Sequence, residues 1–164
     1  RRLRVLSELK HTPTGNYHPC LIAKTQQNSR RFAGCFRIYL AKDGQGKAPV
    51  HPNKMILGKV ADAAIQLTPP SKHLVVTEGL EDALSLLLLY PELSVWCLIG
   101  ANLTNFTPPS GVCTVTVAAD NDPQGIAYAE KLAKRLLHKG YEVHISYPES
   151  GKDFNEALMG GKHG

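Results

Sequence analysis

The chain has 164 residues, enough for one hydrophobic core or for one domain with a small subdomain. Its hydrophobic content of 43% and charged content of 20% are those of an ordinary globular protein. Its longest apolar run, residues 83–90, is far short of the roughly 20 residues that span a bilayer, and no signal-peptide core follows Arg1 and Arg2, so neither a membrane span nor a signal peptide is expected in it. The formal charge of +5 and the pI near 9.1 favour a polyanionic partner.

In chain order, Leu3, Leu6 and Leu9 stand at helical spacing and predict a short helix. Residues 11–19 hold two prolines and a glycine and read as a loop. The apolar run 20–24 and the β-forming run 32–41, joined by the polar turn TQQNSRR, predict an antiparallel hairpin. The loop KDGQGKAPVHPNK carries Lys42, Lys47 and Lys54, and residues 63–67 predict another strand. TPPS at 68–71 is the clearest boundary, because its prolines interrupt both helix and strand. Beyond it the pattern alternates: strand 73–77, helix 79–90, strands 95–99 and 112–119, an amphipathic helix 124–139 closed by Gly140, strand 141–147 and a short helix 153–159. That order predicts an α/β fold with a mostly parallel sheet flanked by helices. A strand-rich N-terminal subdomain over residues 1–70 precedes it, and the α/β domain takes 71–164. Charge divides at the same place. Up to Lys72 there are thirteen Lys or Arg against three acids, and from His73 onward six against eleven. Cys20, Cys35, Cys97 and Cys113 form no CxxC pair and sit in apolar runs, so they read as reduced core thiols and not as zinc ligands. With no signal peptide, they suit a cytoplasmic protein.

Sites in open α/β sheets lie beyond the carboxyl ends of the strands, and three acidic features fall there. In TEGLED, Glu78 follows a strand, Gly79 permits a tight turn, and Asp82 is four residues on, on the same helical face. These acids also complement a helix N-terminus. In AADNDPQG, Asp120 and Asp122 are two apart on an extended segment and point the same way. Asp122 before Pro123 is also a helix start, whereas Asp120 has no local structural reason to be acidic. In GKDFNEAL, Asp153 is placed to cap a helix, with Glu156 completing a capping box, and Lys152 stands where it could touch phosphate. Clustered carboxylates repel, so they persist where a cation offsets the cost, and hard oxygen donors suit magnesium or manganese.

Taken together, VVTEGLEDALSL, VAADNDPQG and GKDFNEAL resemble the Toprim domain, and within it the primases of plasmids, phages and other mobile elements. The resemblance makes Glu78 the motif glutamate, Asp82 the acid a turn later and Asp120 with Asp122 the DxD pair. Asp153 is the first acid of the last motif, and Asn155 stands where many primases have a second Asp. YHPCLIAK, FRIYLAKDGQGKAP and NKMILG resemble the strand-rich subdomain that precedes Toprim in these primases, with Arg37 and Lys54, then Lys47, placed along the template path. Tyr17 and Tyr39 read first as core packing and second as stacking platforms for single-stranded bases. The resemblance implies an Mg2+- or Mn2+-dependent DNA primase, a nucleotidyltransferase that makes RNA primers on a single-stranded DNA template from nucleoside triphosphates. Glu78, Asp120 and Asp122 would be catalytic, and Glu78, Asp82, Asp120, Asp122 and Asp153 would form the metal set. Glu78 serves either as a metal ligand or as general base. A helicase or zinc-binding module in the same or a partner chain is the implied companion, no membrane is, and the chain, which does not start with Met, reads as a fragment that initiates poorly alone. A Toprim nuclease and a non-catalytic DNA-binding accessory module are the alternatives.

Overall fold

The structure is a computed structural model that describes residues 2–60, 63–100 and 102–160. It packs as two compact units, residues 1–60 and 61–164.

The first unit is an antiparallel meander of β1 (Leu3–Lys10), β2 (Tyr17–Gln27), β3 (Phe32–Tyr39) and β4 (Lys54–Gly58). The expected hairpin is β2–β3. The expected helix over Leu3–Leu9 is instead β1, and its register explains the misleading spacing of Leu6 and Leu9, though not that of Leu3. Leu6 pairs with Cys20 and Leu9 with His18, so β1 carries one extra residue between them. That bulge returns Leu9 to the face of Leu6 after three residues, which imitates a helical period. Leu9 then packs with Ile22, Val50 and Met55 on a small cluster of Cys20, Tyr39 and Ala48. Tyr39 is fully buried and its hydroxyl donates to the Lys10 carbonyl at 3.0 Å, whereas Tyr17 is exposed. The loop after β3 folds back through a Leu40–Lys47 bridge. His11 is buried against the Tyr39 ring and bonded to Thr14 Oγ1 and the Pro52 carbonyl.

The second unit contains, in chain order, β5 (Ala63–Gln66), β6 (His73–Thr77), α1 (Leu80–Leu89), β7 (Val95–Leu98), α2 (Asn102–Asn105), β8 (Thr114–Ala118), α3 (Pro123–His138), β9 (Glu142–Ser146) and α4 (Phe154–Gly160). Its strands run β5-β7-β6-β8-β9, with β5 antiparallel to β7 and the other pairs parallel. β7 is buried throughout and β6 over all but its first residue, as strands covered on both faces are. Leu74, Val76, Val115 and Val117 meet Tyr128, Ala129, Leu132 and Leu136 of α3. Trp96 packs edge-on against Phe106 and donates its indole N–H to the Thr68 carbonyl at 3.0 Å.

Helix α3 is delimited by its own sequence. Asp122 is the N-cap and accepts from Gly125 N at 2.8 Å, and Pro123 fills the first helical position. At the other end Gly140, at φ +86, donates to the Leu137 carbonyl while Tyr141 donates to that of Leu136, a complete Schellman closure. All four cysteines are free thiols, but they are not all in the core. Cys20 and Cys97 are buried, Cys35 is half-buried and Cys113, just before β8, is exposed. No helix among the described residues is long and apolar enough to cross a membrane.

Leu132 is fully buried between α3 and the sheet, and Leu137, on the same helix, is 56% exposed. Leu132→Ala is expected to cost about 2–5 kcal/mol in denaturant unfolding, and Leu137→Ala at most about 0.5 kcal/mol. Equal effects would contradict the orientation of α3.

Candidate metal centre

Strands β6 and β8 pair in parallel with Thr77 opposite Ala118, so both end at the same edge of the sheet. Glu78 leaves the end of β6, and Asp120 lies two residues beyond the end of β8. Adjacent strand ends thus deliver the two acids to one place without any loop excursion.

Asp120 is the electrostatic centre of the set. Burial raises its pKa first, then the negative fields of Glu78, Asp153 and Asp122, with Lys152 opposing them. Asp122 is both N-cap of α3 and ion-pair partner of Lys152, whose Nζ lies 3.0 Å from its Oδ2. The Gly125 N–H and Lys152 together hold its carboxyl below the usual range. The Asn121 N–H donates to the Lys152 carbonyl at 2.7 Å, which ties the loop after β8 to the segment entering α4. Asp153 caps α4, accepting from Glu156 N at 2.7 Å. The expected capping box is shifted by one residue, because the Glu156 carboxylate takes the N–H of Lys152, at 2.6 Å.

Asp82 is the most enclosed of the five. It is 6% exposed and accepts from the Asn155 backbone N–H at 3.1 Å. Burial pushes its pKa up to about 6; the Asn155 bond opposes that rise and the fields of Asp153, Asp120 and Glu81 add to it.

Two glycines make room for this arrangement. Gly79 is extended, at φ −93 and ψ 142, so no special turn requires it. A Cβ there would lie 2.1 Å from Asp82 Oδ2, and the glycine is needed for space. A Cβ on Gly125 would lie 2.5 Å from the Asp120 carbonyl oxygen and 2.8 Å from its Cβ, so α3 can approach Asp120 only with glycine at that position. A glycine in the first turn of an otherwise strong helix is the signal that could have marked position 125. Asn155 also has a role that its motif position alone did not suggest, since its Oδ1 accepts from Ser85 Oγ at 3.3 Å.

The donors are all hard carboxylate oxygens in a shared negative field, which fits magnesium or manganese. Among the described residues no three His, Cys, Asp or Glu side chains stand close enough to enclose an ion. The acids surround Asp120 without forming a closed chelate. A cavity of about 640 Å³ over β6, β8 and β9, walled by Leu86 and Leu89 of α1 and Phe154 of α4, is lined by none of the five carboxylates.

In the first unit, Arg37 stands in register with Ile22 and Met55, while Lys54 is opposite Ile38. Arg37 and Lys54 are therefore on opposite faces of the meander. The face of Arg37 also carries Arg4, opposite Ile22, and Lys24, opposite Cys35, two cations that sequence patterning did not single out. Lys47 is exposed in the loop after β3, and Lys152 belongs to the second unit beside Asp122.

Residues 73–163, more than half of the chain, match the Toprim domain family. The chain belongs to the Toprim family. Residues 1–67 match a second family, described as a domain of unknown function. No curated protein matches the chain in sequence. The fold is that of primase domains. The primase fragment of the bacteriophage T7 primase-helicase protein superposes with a TM-score of 0.64 at 20% identity, over 93% of this chain and 64% of that one. The Aquifex aeolicus primase, in a structure of its zinc-binding and RNA polymerase domains, gives 0.62 at 19%, over 94% and 41%. A DNA primase domain from Pseudomonas aeruginosa gives 0.59 at 13%, over 94% and 52%. The Toprim chain thus spans about two-fifths to two-thirds of these primase chains.

The Asp82 carboxyl has a pH consequence whose sign is fixed. Its folded pKa of about 6 lies above the ordinary carboxylate value of 3.8, so the folded state holds more protons between the two. Its contribution to stability is complete below the lower value and is lost as pH rises through the upper one. Asp82→Asn cannot ionise and is expected to unfold at higher denaturant than wild type at pH 7, with the gap closing towards pH 4. A variant less stable than wild type at pH 7 would contradict this account.

Proposed function

We propose that this Toprim chain is the catalytic core of a DNA primase, performing metal-dependent nucleotidyl transfer on a single-stranded DNA template. The observation that carries the reading is Asp120, set beyond the end of β8 in the combined field of Glu78, Asp122 and Asp153. The primase-type fold supports it.

In that reaction a 3′-hydroxyl attacks the α-phosphate of a nucleoside triphosphate, and pyrophosphate leaves. Mg2+ or Mn2+, when bound, would supply positive charge against the negative charge that develops on the phosphates. Glu78, Asp120 and Asp122 would hold it. In the alternative role, Glu78 would take the hydroxyl proton as general base. Lys152, paired with Asp122 at 3.0 Å, would meet the triphosphate as its counter-charge when the carboxylate turns to the cation. Arg37, Lys47 and Lys54 would hold template phosphates, an attraction that weakens as salt rises. A helicase or a zinc-binding module, in the same or a partner chain, would supply the template.

The test is incubation with single-stranded template, labelled ribonucleotides and Mg2+ or Mn2+, with a short annealed RNA primer added so that extension is read as well as initiation. Oligonucleotide synthesis supports the primase. Template shortening would make the chain a nuclease, and binding alone a non-catalytic accessory module. Asp120→Ala and Glu78→Ala are expected to abolish synthesis with the circular dichroism spectrum unchanged; wild-type activity in either would overturn the site. Arg37→Ala and Lys54→Ala are each expected to weaken single-stranded DNA binding and to lower the slope of log affinity against log salt by about one. Unchanged affinity and slope in both would remove the template role.

A further inference from the structure

Asp82 differs from the other four acids in what its oxygens do. Its Oδ1 accepts the Asn155 backbone N–H at 3.1 Å, and its Oδ2 is packed against Gly79, where even a methyl group would not fit. At 6% exposed, it is the one buried acid of the five, the other four being half-buried.

The Asn155 N–H belongs to the first turn of α4 and is among the donors for which the helix itself has no acceptor. Asp82 therefore supplies α4 with an acceptor that comes from α1. Ser85, three residues further along α1, adds a second tie to the same residue, donating to Asn155 Oδ1 at 3.3 Å. Two residues earlier stands Asp153, the cap of α4, whose charge reaches both Asp82 and Asp120. Whatever holds the first turn of α4 also sets where Asp153 stands relative to Asp120.

We propose that Asp82 is a positioning residue: its carboxylate clamps the first turn of α4 to α1, and so holds Asp153 within the field of Asp120, without itself ligating the cation. This rests on the cation-binding reading above and assigns the five acids to two tasks. A burial cost for the Asp82 charge is tolerated because a charge-assisted hydrogen bond to a backbone donor is stronger than a neutral one. Residues that orient a metal's ligands change affinity by about 10–100-fold when removed, although they touch no metal.

The isosteric variant separates clamp from ligand, because asparagine keeps an oxygen acceptor for Asn155 but loses the charge a cation needs. Two readouts on the whole chain are required: Mn2+ affinity by electron paramagnetic resonance, and hydrogen exchange of the Asn155 amide in the metal-free protein. Asp82→Asn is expected to keep both within about threefold of wild type. Asp82→Ala is expected to speed Asn155 exchange at least about tenfold and to weaken Mn2+ by about 10–100-fold. Asp120→Asn is expected to lose Mn2+ while leaving Asn155 exchange unchanged. Should Asp82→Ala fail to fold, Asp82→Ser, which shortens the acceptor, takes its place. An Asp82→Asn variant that loses Mn2+ as fully as Asp120→Asn would make Asp82 a ligand and overturn the proposal, as would unaltered Asn155 exchange in Asp82→Ala. If the wild-type protein binds no Mn2+, the cation reading fails on its own, and the exchange rates still decide the clamp.

Discussion

The in-register parallel pairing of β6 with β8 is the constraint on which the rest depends. Thr77 opposite Ala118 brings the ends of two buried strands level, and the residues that follow emerge together. A slip of one residue would reverse the faces of β8 and carry Val115 and Val117 out of the core formed with α3. The hydrophobic core and the acidic centre are therefore fixed by one set of backbone hydrogen bonds. Gly125 adds to this, because the close approach of α3 to Asp120 also fixes the cap of that helix beside the centre.

Placing five carboxylates around one strand edge has an electrostatic cost, and the fold offsets it unevenly. Asp122 and Asp153 are relieved by helix N-termini, and Asp122 by Lys152 as well. Asp82 takes a backbone donor from the neighbouring helix. Asp120 sits at the meeting point of the others' fields, with the charge of Lys152 opposing them. Perturbed acids of this kind cluster where function needs them. The two neutralising devices also differ in permanence. A buried hydrogen bond such as that of Asp82 is part of the fold, whereas the exposed Lys152 ion pair is weak and exchangeable.

Much of this was legible in the sequence because it is local. Asp122-Pro123 at one end of α3 and Gly140 at the other state the helix boundaries directly, and the alternation of strands and helices after residue 71 states the parallel sheet. Glu78, Asp120 and Asp122 could be placed because they follow the apolar strands β6 and β8. What was not legible depends on register or on tertiary distance. The bulge in β1 disguised a strand as a helix. β4 escaped notice because Ile56 and Leu57 are both exposed, with no alternation to read. Arg37 and Lys54 were grouped as one path, yet they stand on opposite faces of the meander, which only the pairing with Ile22, Met55 and Ile38 reveals. Gly79 was read as a turn and is a space requirement, because its neighbour in space is Asp82 Oδ2 at a distance no pattern encodes.

The central claim is that the strand-end acids form a cation site centred on Asp120. Its most direct measurement is the anomalous difference map of crystals soaked in Mn2+. A peak within coordinating distance of Asp120 and at least one of Glu78 and Asp122 is the predicted result. A map with no peak there at saturating Mn2+, or with its strongest peak at an unrelated acid such as Glu142 on β9, would contradict the account.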